Sequence, residues 1–210
     1  MDKCIIFGAA DFDQLIAPIE SGDFTIAADG GLQHFDKLGR APDAILGDFD
    51  SLGYVPNSAQ VFPVEKDDTD LILAIRHGLS KGFREFHLYG GLDGHRLDHT
   101  VANFQTLAFL RENGAHGYLI GKQYIATVIQ NEAIRFPSSC QGILSVFCMG
   151  ADATGVTIQN LQYCVDNATF QSCFPLGVSN HFIGAEAEIS VKNGALLLLW
   201  DAKNGLPTLL

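Results

Sequence analysis

Four aspartates follow apolar, strand-like runs early in the chain: Asp29 in "FTIAADGG" (24–31), Asp48 and Asp50 in "DAILGDFDS" (43–51), and Asp70 in "KDDTDL" (66–71). Carboxylates gathered this closely repel one another unless something positive sits between them. In an open parallel sheet, ligands bind beyond the carboxyl ends of the strands, so a fold that aligns these strand ends makes one oxygen-rich site. Hard cations with oxygen ligands, Mg²⁺ above all, favour such clusters and keep substrate phosphates in their shell. Each acid also has a plainer reading. An Asp-x-Asp after a strand is equally a turn with solvated acids, and Asp68 or Thr69 is equally a helix N-cap. Capping and metal binding are compatible, one residue closing the helix while Asp70 turns to the cation.

The segment "GGLDGHRLDHTVAN" (90–103) is the second concentration of chemistry. Its paired glycines let a backbone approach a ligand closely, and Arg96 offers a planar fork of donors to phosphate oxygens. Asp98 and His99 open a helix, whose free N–H groups favour anions. The alternative is a glycine-rich turn with Arg96 paired on the surface to Asp93 or Asp98, a pair of little energetic value. Neither G-x-x-x-x-G-K-[ST] nor G-x-G-x-x-G occurs, so any nucleotide is held by metal and arginine rather than by a P-loop. Further on, Tyr163 in "NLQYCVDN" (160–167) is either a stacking ring or a core side chain, and Ser179 with Asn180 in "GVSNHF" (177–182) is either a polar pair for a ligand or a turn. Trp200 closes the core-like run "ALLLLW" and needs no function. His34, His77, His116 and His181 lack ligand spacing, and no constellation supports a Ser or Cys nucleophile.

The elements that must position these residues change character midway. "KCIIFGA", "FTIAADGG", "DAILGDFDS" and "EFHLYGG" read as buried strands. Residues 11–20, "LQHFDKLG", "TDLILAIRHGLSKG" and "LDHTVANFQTLAFLRENG" read as helices between and after them. Strands alternating with helices predict a mostly parallel sheet flanked by helices. Beyond residue 121 the runs "YIATVIQ", "AIRFP", "GILSVFCM", "GVTIQNLQYCV", "HFIGAEAEISV" and "GALLLLWDA" are rich in β-branched and aromatic residues, which predicts an antiparallel β-sandwich. The expected fold class is therefore α/β plus all-β, with domains over 1–121 and 122–210.

Composition narrows the partners. A chain of 210 residues, 47% hydrophobic and 18% charged, has ample core for one large or two small domains. Its net charge of −11 leaves no basic stripe to displace counterions from a nucleic acid. "ALLLLW" is too short to span a bilayer. The N-terminus lacks the pattern of a secretory signal, and five cysteines without a C-x-x-C pair suit reduced thiols read as small buried hydrophobes. The expectation is a soluble cytoplasmic protein.

Taken in order, "ADGG" (28–31), "GDFDS" (47–51), "KDDTD" (66–70), "GGLDGHRLDH" (90–99) and "GVSN" (177–180) resemble the thiamine pyrophosphokinase family across essentially the whole chain. The resemblance implies a catalytic α/β domain that binds ATP and Mg²⁺, a β-sandwich domain that binds thiamine, and a homodimer with active sites between subunits. By position it makes Asp48, Asp50 and Asp70 the Mg²⁺-site acids, with Asp29 lining the same site. It places Lys66, Thr69, Arg96, Asp98 and His99 near the ATP phosphates, and Ser179 and Asn180 on the thiamine side. Tyr163 stands where eukaryotic relatives carry a stacking tryptophan. His95 departs from the family pattern, which more often has glycine before the arginine.

The implied reaction is transfer of the pyrophosphoryl group of ATP to the hydroxyl of thiamine, giving thiamine diphosphate and AMP, with Asp70 or Asp98 open to the role of base. Two alternatives stay in view: a pyrophosphokinase for another alcohol, such as a hydroxymethylpterin, and a non-catalytic Mg²⁺-dependent regulatory domain, since receiver domains also gather aspartates at strand ends.

Overall fold

A computed structural model describes residues 2–49, 53–63 and 67–210. The chain divides into two compact units, Met1–Lys122 and Gln123–Leu210. In the first, strands β1 (Cys4–Phe7), β2 (Phe24–Ala28), β3 (Ala44–Gly47), β4 (Gln60–Val61), β5 (Glu85–Tyr89) and β6 (His116–Ile120) alternate with helices α1 (Leu32–Leu38), α2 (Asp70–Ser80) and α3 (Leu97–Glu112). All pairings are parallel, in the order β6-β5-β1-β2-β3-β4. The chain runs outward from β1 to β4, then returns to build β5 and β6 on the other side of β1, so the strand order reverses between β1 and β5. Such a reversal opens a crevice at the carboxyl ends of the strands.

The central strands read as continuous apolar runs because both faces are covered: all four residues of β1 are buried, as are the last four of β2 and of β5. Helix α2 packs on β1, β2 and β3 and touches α3, which packs on β6. Arg76 of α2 lays its guanidinium over the ring of Phe109 of α3, 4.9 Å from the centroid. Just before β1 and β2, Lys3 and Asp23 form a buried ion pair at 2.7 Å with side chains 10% and 2% exposed. Burial raises the Asp23 carboxyl, but hydrogen bonds from the Lys3 ammonium and from the Glu20 and Lys3 amides, with the Lys3 charge, outweigh it and hold it below its usual range.

Residues 11–20 form no helix, contrary to the expectation from sequence. Pro18 removes a helical donor, and tertiary contacts take over the rest. Phe12 packs against Phe7, His34 and Tyr89, and the Ile16 amide donates to the Tyr89 hydroxyl at 3.2 Å. Burial pushes that hydroxyl up to about 12.

The second unit is two antiparallel sheets. Its strands are β7 (Tyr124–Gln130), β8 (Ala133–Phe136), β9 (Ile143–Cys148), β10 (Ala153–Gln159), β11 (Val165–Phe170), β12 (Gly177–His181), β13 (Ala187–Ser190), β14 (Ala195–Asp201) and β15 (Thr208–Leu209). One sheet runs β12-β9-β14-β7 and the other β11-β10-β13-β8-β15. They face each other through Phe136 of β8 and Trp200 of β14, edge to face at 5.2 Å, and the buried indole N–H donates to the Gly205 carbonyl at 2.9 Å. The apolar run at 195–200 is the central strand of its sheet, as its composition requires.

Two runs in this half are shorter than the sequence predicts. "GVTIQNLQYCV" breaks after Gln159, because Asn160 takes a left-handed conformation (φ +58°) and turns the chain. "HFIGAEAEISV" opens on His181, the last residue of β12, and is otherwise a strand only over Ala187–Ser190. Cys4 and Cys140 are buried as expected, whereas Cys164 and Cys173 are exposed.

Candidate active site

The carboxyl ends of β1, β2, β3 and β5 surround a cleft of about 280 Å³. Asp29, Asp48, Asp68 and Asp70 line it, with Thr69, Gly90, Gly91, His99 and Asn103. Of the residues singled out by sequence, the structure thus brings Asp29, Asp48, Thr69, Asp70 and His99 together. Asp50 and Lys66 lie outside the described residues.

Local backbone requirements explain how the acids reach one place. Asp29 leaves β2 in a left-handed conformation (φ +46°) that opens a single 3₁₀ turn, Asp29–Gly31. Gly47 ends β3 directly against it: a Cβ there would sit 3.0 Å from the Asp29 Cα and 3.1 Å from its Cβ and nitrogen. Only glycine lets these two strand exits approach so closely. Phe49, 3% exposed, is held at φ +57°. This conformation is unfavourable for a bulky residue and is found where a site over-determines the backbone. Its buried ring anchors the turn that carries Asp48. Gly90 closes the opposite wall at φ +70°, where a Cβ would collide with the carbonyl oxygens of Gly8 and Ala10.

Helix α2 begins at the cleft. Thr69 is its N-cap, accepting the Ile72 amide on Oγ1 at 3.3 Å, which leaves Asp70 in the first turn, where the helix dipole favours a carboxylate. Asp68 is turned toward Arg76, 3.0 Å away. The N-cap and cleft readings of "DDTD" therefore both hold: Thr69 caps the helix, and Asp70 lines the cleft.

Arg96 and Asp98 do not line the cleft. They pair with each other at the start of α3, with Nη2–Oδ2 at 2.6 Å and Nε–Oδ1 at 3.3 Å, and side chains 68% and 65% exposed. The hydrogen bond from Arg96 holds the Asp98 carboxyl below its usual range. Among the described residues, the cleft is lined by four carboxylates and by no lysine or arginine, with His99 its one basic side chain.

Asn103 is a lining residue that sequence reasoning gave no role. It is buried and donates from Nδ2 to the Gly91 carbonyl at 2.7 Å, fixing the glycine pair. Its one sequence signal is the four-residue step from His99 on the same helix face.

The aspartate oxygens are a donor set that suits a hard cation. Among the described residues no group of three His, Cys, Asp or Glu side chains is close enough to hold a metal ion. The third acid of the expected set, Asp50, is not one of them.

In the second unit, Tyr163, Ser179 and Asn180 meet at the β12 edge. Tyr163 is 62% exposed, so it is not a core tyrosine. Ser179 sits in a bulge at φ +59°, its amide donating to the Ser145 hydroxyl at 3.0 Å. A bulge of this kind re-aims a side chain at the edge of a sheet. Asn180 is 4% exposed and bonds to the Tyr163 backbone on both sides.

Comparisons with known proteins agree with one another. The model of the thiamin pyrophosphokinase catalytic domain matches residues 16–119, and that of the thiamin pyrophosphokinase vitamin B1 binding domain matches residues 131–196. Among solved structures, thiamine pyrophosphokinase from Bacillus subtilis superposes with a TM-score of 0.79 at 22% identity, covering 95% of this chain and 98% of that one. A thiamin pyrophosphokinase family protein from Enterococcus faecalis gives 0.79 at 21%, covering 96% and 99%. Thiamin pyrophosphokinase from Candida albicans gives 0.76 at 14%, covering 95% and 88%. A search of curated proteins finds no match.

Proposed function

Because the chain belongs to the thiamin pyrophosphokinase family, we propose that it transfers the pyrophosphoryl group of ATP to the hydroxyl of thiamine, releasing AMP. The observation that carries this reading is the acid-lined cleft at the strand ends of the catalytic unit. A cleft of this charge repels a bare polyphosphate and accepts one that arrives with cations.

Asp48, Asp50 and Asp70 would hold Mg²⁺, which when bound neutralises charge on the phosphate oxygens. The chain's own groups do the remaining work, which in phosphoryl transfer is mainly positioning. The thiamine hydroxyl oxygen attacks the β-phosphorus, the bond from that phosphorus to the α–β bridging oxygen breaks, and AMP leaves. Of the two candidate bases, Asp98 is not among the residues that line the cleft. Asp70 lines the cleft, so a carboxylate oxygen of Asp70 takes the hydroxyl proton. Arg96 reaches phosphate by exchanging Asp98 for it, and an exposed pair gives up little on exchange. Thr69 and Asn103 hold the two cleft walls, and His99 supplies a donor to the phosphates.

Tyr163 and Ser179 receive thiamine in the second unit, and the enzyme works as a homodimer. Exposed Phe174, Leu176, Val178 and Ile183 around β12 offer an apolar surface for such an assembly. Among the described residues no helix is long and apolar enough to cross a membrane, and the proposed setting is the cytoplasm.

Incubation with ATP, Mg²⁺ and thiamine followed by chromatography tests the reading. AMP and thiamine diphosphate in equal amounts are expected. ADP with thiamine monophosphate would make the protein a simple kinase, and AMP release with a hydroxymethylpterin but not thiamine would reassign the alcohol.

A further inference from the structure

We infer that Asn180 is a positioning residue that fixes the ring of Tyr163, rather than a residue that touches the ligand. Asn180 is 4% exposed while Tyr163 beside it is 62% exposed. Its amide is engaged with backbone: Oδ1 accepts from the Tyr163 amide at 2.9 Å and from the His181 amide at 2.9 Å, and Nδ2 donates to the Tyr163 carbonyl at 2.7 Å. One side chain therefore clamps both peptide groups of a residue 17 positions away in sequence.

The rest of the loop is tied to His181, to Phe182 and to itself. Leu161 forms an isolated bridge with Phe182, the Gln162 amide donates to the His181 carbonyl at 3.0 Å, and the Cys164 thiol donates to the Leu161 carbonyl at 3.2 Å. A short loop with its backbone bonded on either side of an exposed aromatic gives a ring whose attachment point is set before any ligand arrives. Such preorganisation removes an ordering cost from binding. A carboxamide supplies an acceptor and a donor on one planar group, which matches the N–H and C=O of one residue.

The inference rests on the reading of Tyr163 as the thiamine-stacking residue, and the test separates the two. Thiamine affinity is measured by calorimetry on the full chain with Mg²⁺ and a non-hydrolysable ATP analogue, for wild type, Tyr163→Ala, Asn180→Ala and the double variant. Tyr163→Ala is expected to weaken thiamine binding about tenfold, as for loss of an aromatic stack. Asn180→Ala is expected to weaken it severalfold with the affinity for the ATP analogue unchanged, and to add less than twofold once Tyr163 is gone.

Equal losses from Asn180→Ala in both backgrounds would overturn the positioning role and make Asn180 a direct contact. A loss with Tyr163→Ala but none with Asn180→Ala would overturn the positioning role alone. Unchanged affinity in Tyr163→Ala would remove the stacking reading and the inference with it. Should Asn180→Ala fail to fold, amide hydrogen exchange in the wild type decides. The Tyr163 amide is expected to be protected despite its exposed ring, and free exchange would overturn the clamp.

Discussion

At the cleft of the first unit, functional side chains arrive from separate strand ends and helix starts, brought together because a parallel sheet terminates there. At the Tyr163 edge of the second unit, one buried amide holds one loop. The first arrangement concentrates charge and accepts backbone strain at Asp29 and Phe49. The second concentrates hydrogen bonds behind an apolar ring. Phosphoryl transfer needs the former, since charge must be neutralised at fixed points. Holding a flat organic cation needs the latter, since a rigid exposed ring binds without being ordered first.

The sharpest way to break this contrast is to remove charge from the cleft alone. Asp48→Asn is expected to lower kcat by two or more orders of magnitude, the scale of losing a preorganised electrostatic contact. Thiamine binding by the Tyr163 edge should stay within about twofold, as measured by steady-state kinetics beside calorimetry. A parallel loss of thiamine affinity would show that the two regions are not separate in function.

Asp23 provides the control for stability. Asp23→Ala leaves Lys3 buried without its partner and is expected to cost about 3 kcal/mol in denaturant unfolding, with kcat of the folded enzyme unchanged. The same pair sets part of the acid response. Because the Asp23 carboxyl is held below its ordinary value of 3.8, its contribution is present above that value and is lost as pH falls through the folded-state value. Wild-type unfolding should therefore steepen below about pH 4, and the variant should lack that portion.

A smaller change joins local structure to the cleft. Thr69→Ala removes the cap of α2 and is expected to cost about 1 kcal/mol of stability, together with a severalfold fall in kcat as Asp70 loses its fixed helix start. Loss of stability without loss of turnover would mean that the cap and the site are independent.

The smallest effect on folding is expected at the exposed Arg96–Asp98 pair. Arg96→Ala should shift stability by less than about 1 kcal/mol, while the KM for ATP rises severalfold. An unchanged KM would remove Arg96 from the phosphate site.

How much of this was legible in the sequence follows from how far each interaction reaches. The alternation of apolar runs with helical spacing gives β1, β2, β3 and β5 with α1, α2 and α3, because sheet and helix periodicities are local, whereas the short β4 and the strand β6 are not read from it. Asp29 and Asp48 are legible because each directly follows a strand and strand ends of a parallel sheet share one edge, and Asp70 because it follows the N-cap Thr69 at the start of a helix. The segment 11–20 was not, since its conformation is set by Phe12 and the Tyr89 hydroxyl rather than by its own pattern. The alternative pairing of Arg96 with Asp98, two positions away, was open in the sequence, and the structure adopts it.

Asn103 and Asn180 were the hardest to read. Their amides bond to backbone 12 and 17 residues distant, and a hydrogen bond to a peptide group leaves no mark on the identity of the residue that receives it. Asn180 stood out beside Ser179 as a polar pair for a ligand, yet its burial turns it toward the loop behind the ring.

The central claim is pyrophosphoryl transfer through attack at the β-phosphorus. The most direct test uses ATP carrying ¹⁸O in the α–β bridge, with thiamine and Mg²⁺, and mass spectrometry of the products. AMP bearing the label and thiamine diphosphate free of it are expected. Labelled ADP, with the bridge intact and a single phosphoryl group on thiamine, would contradict it.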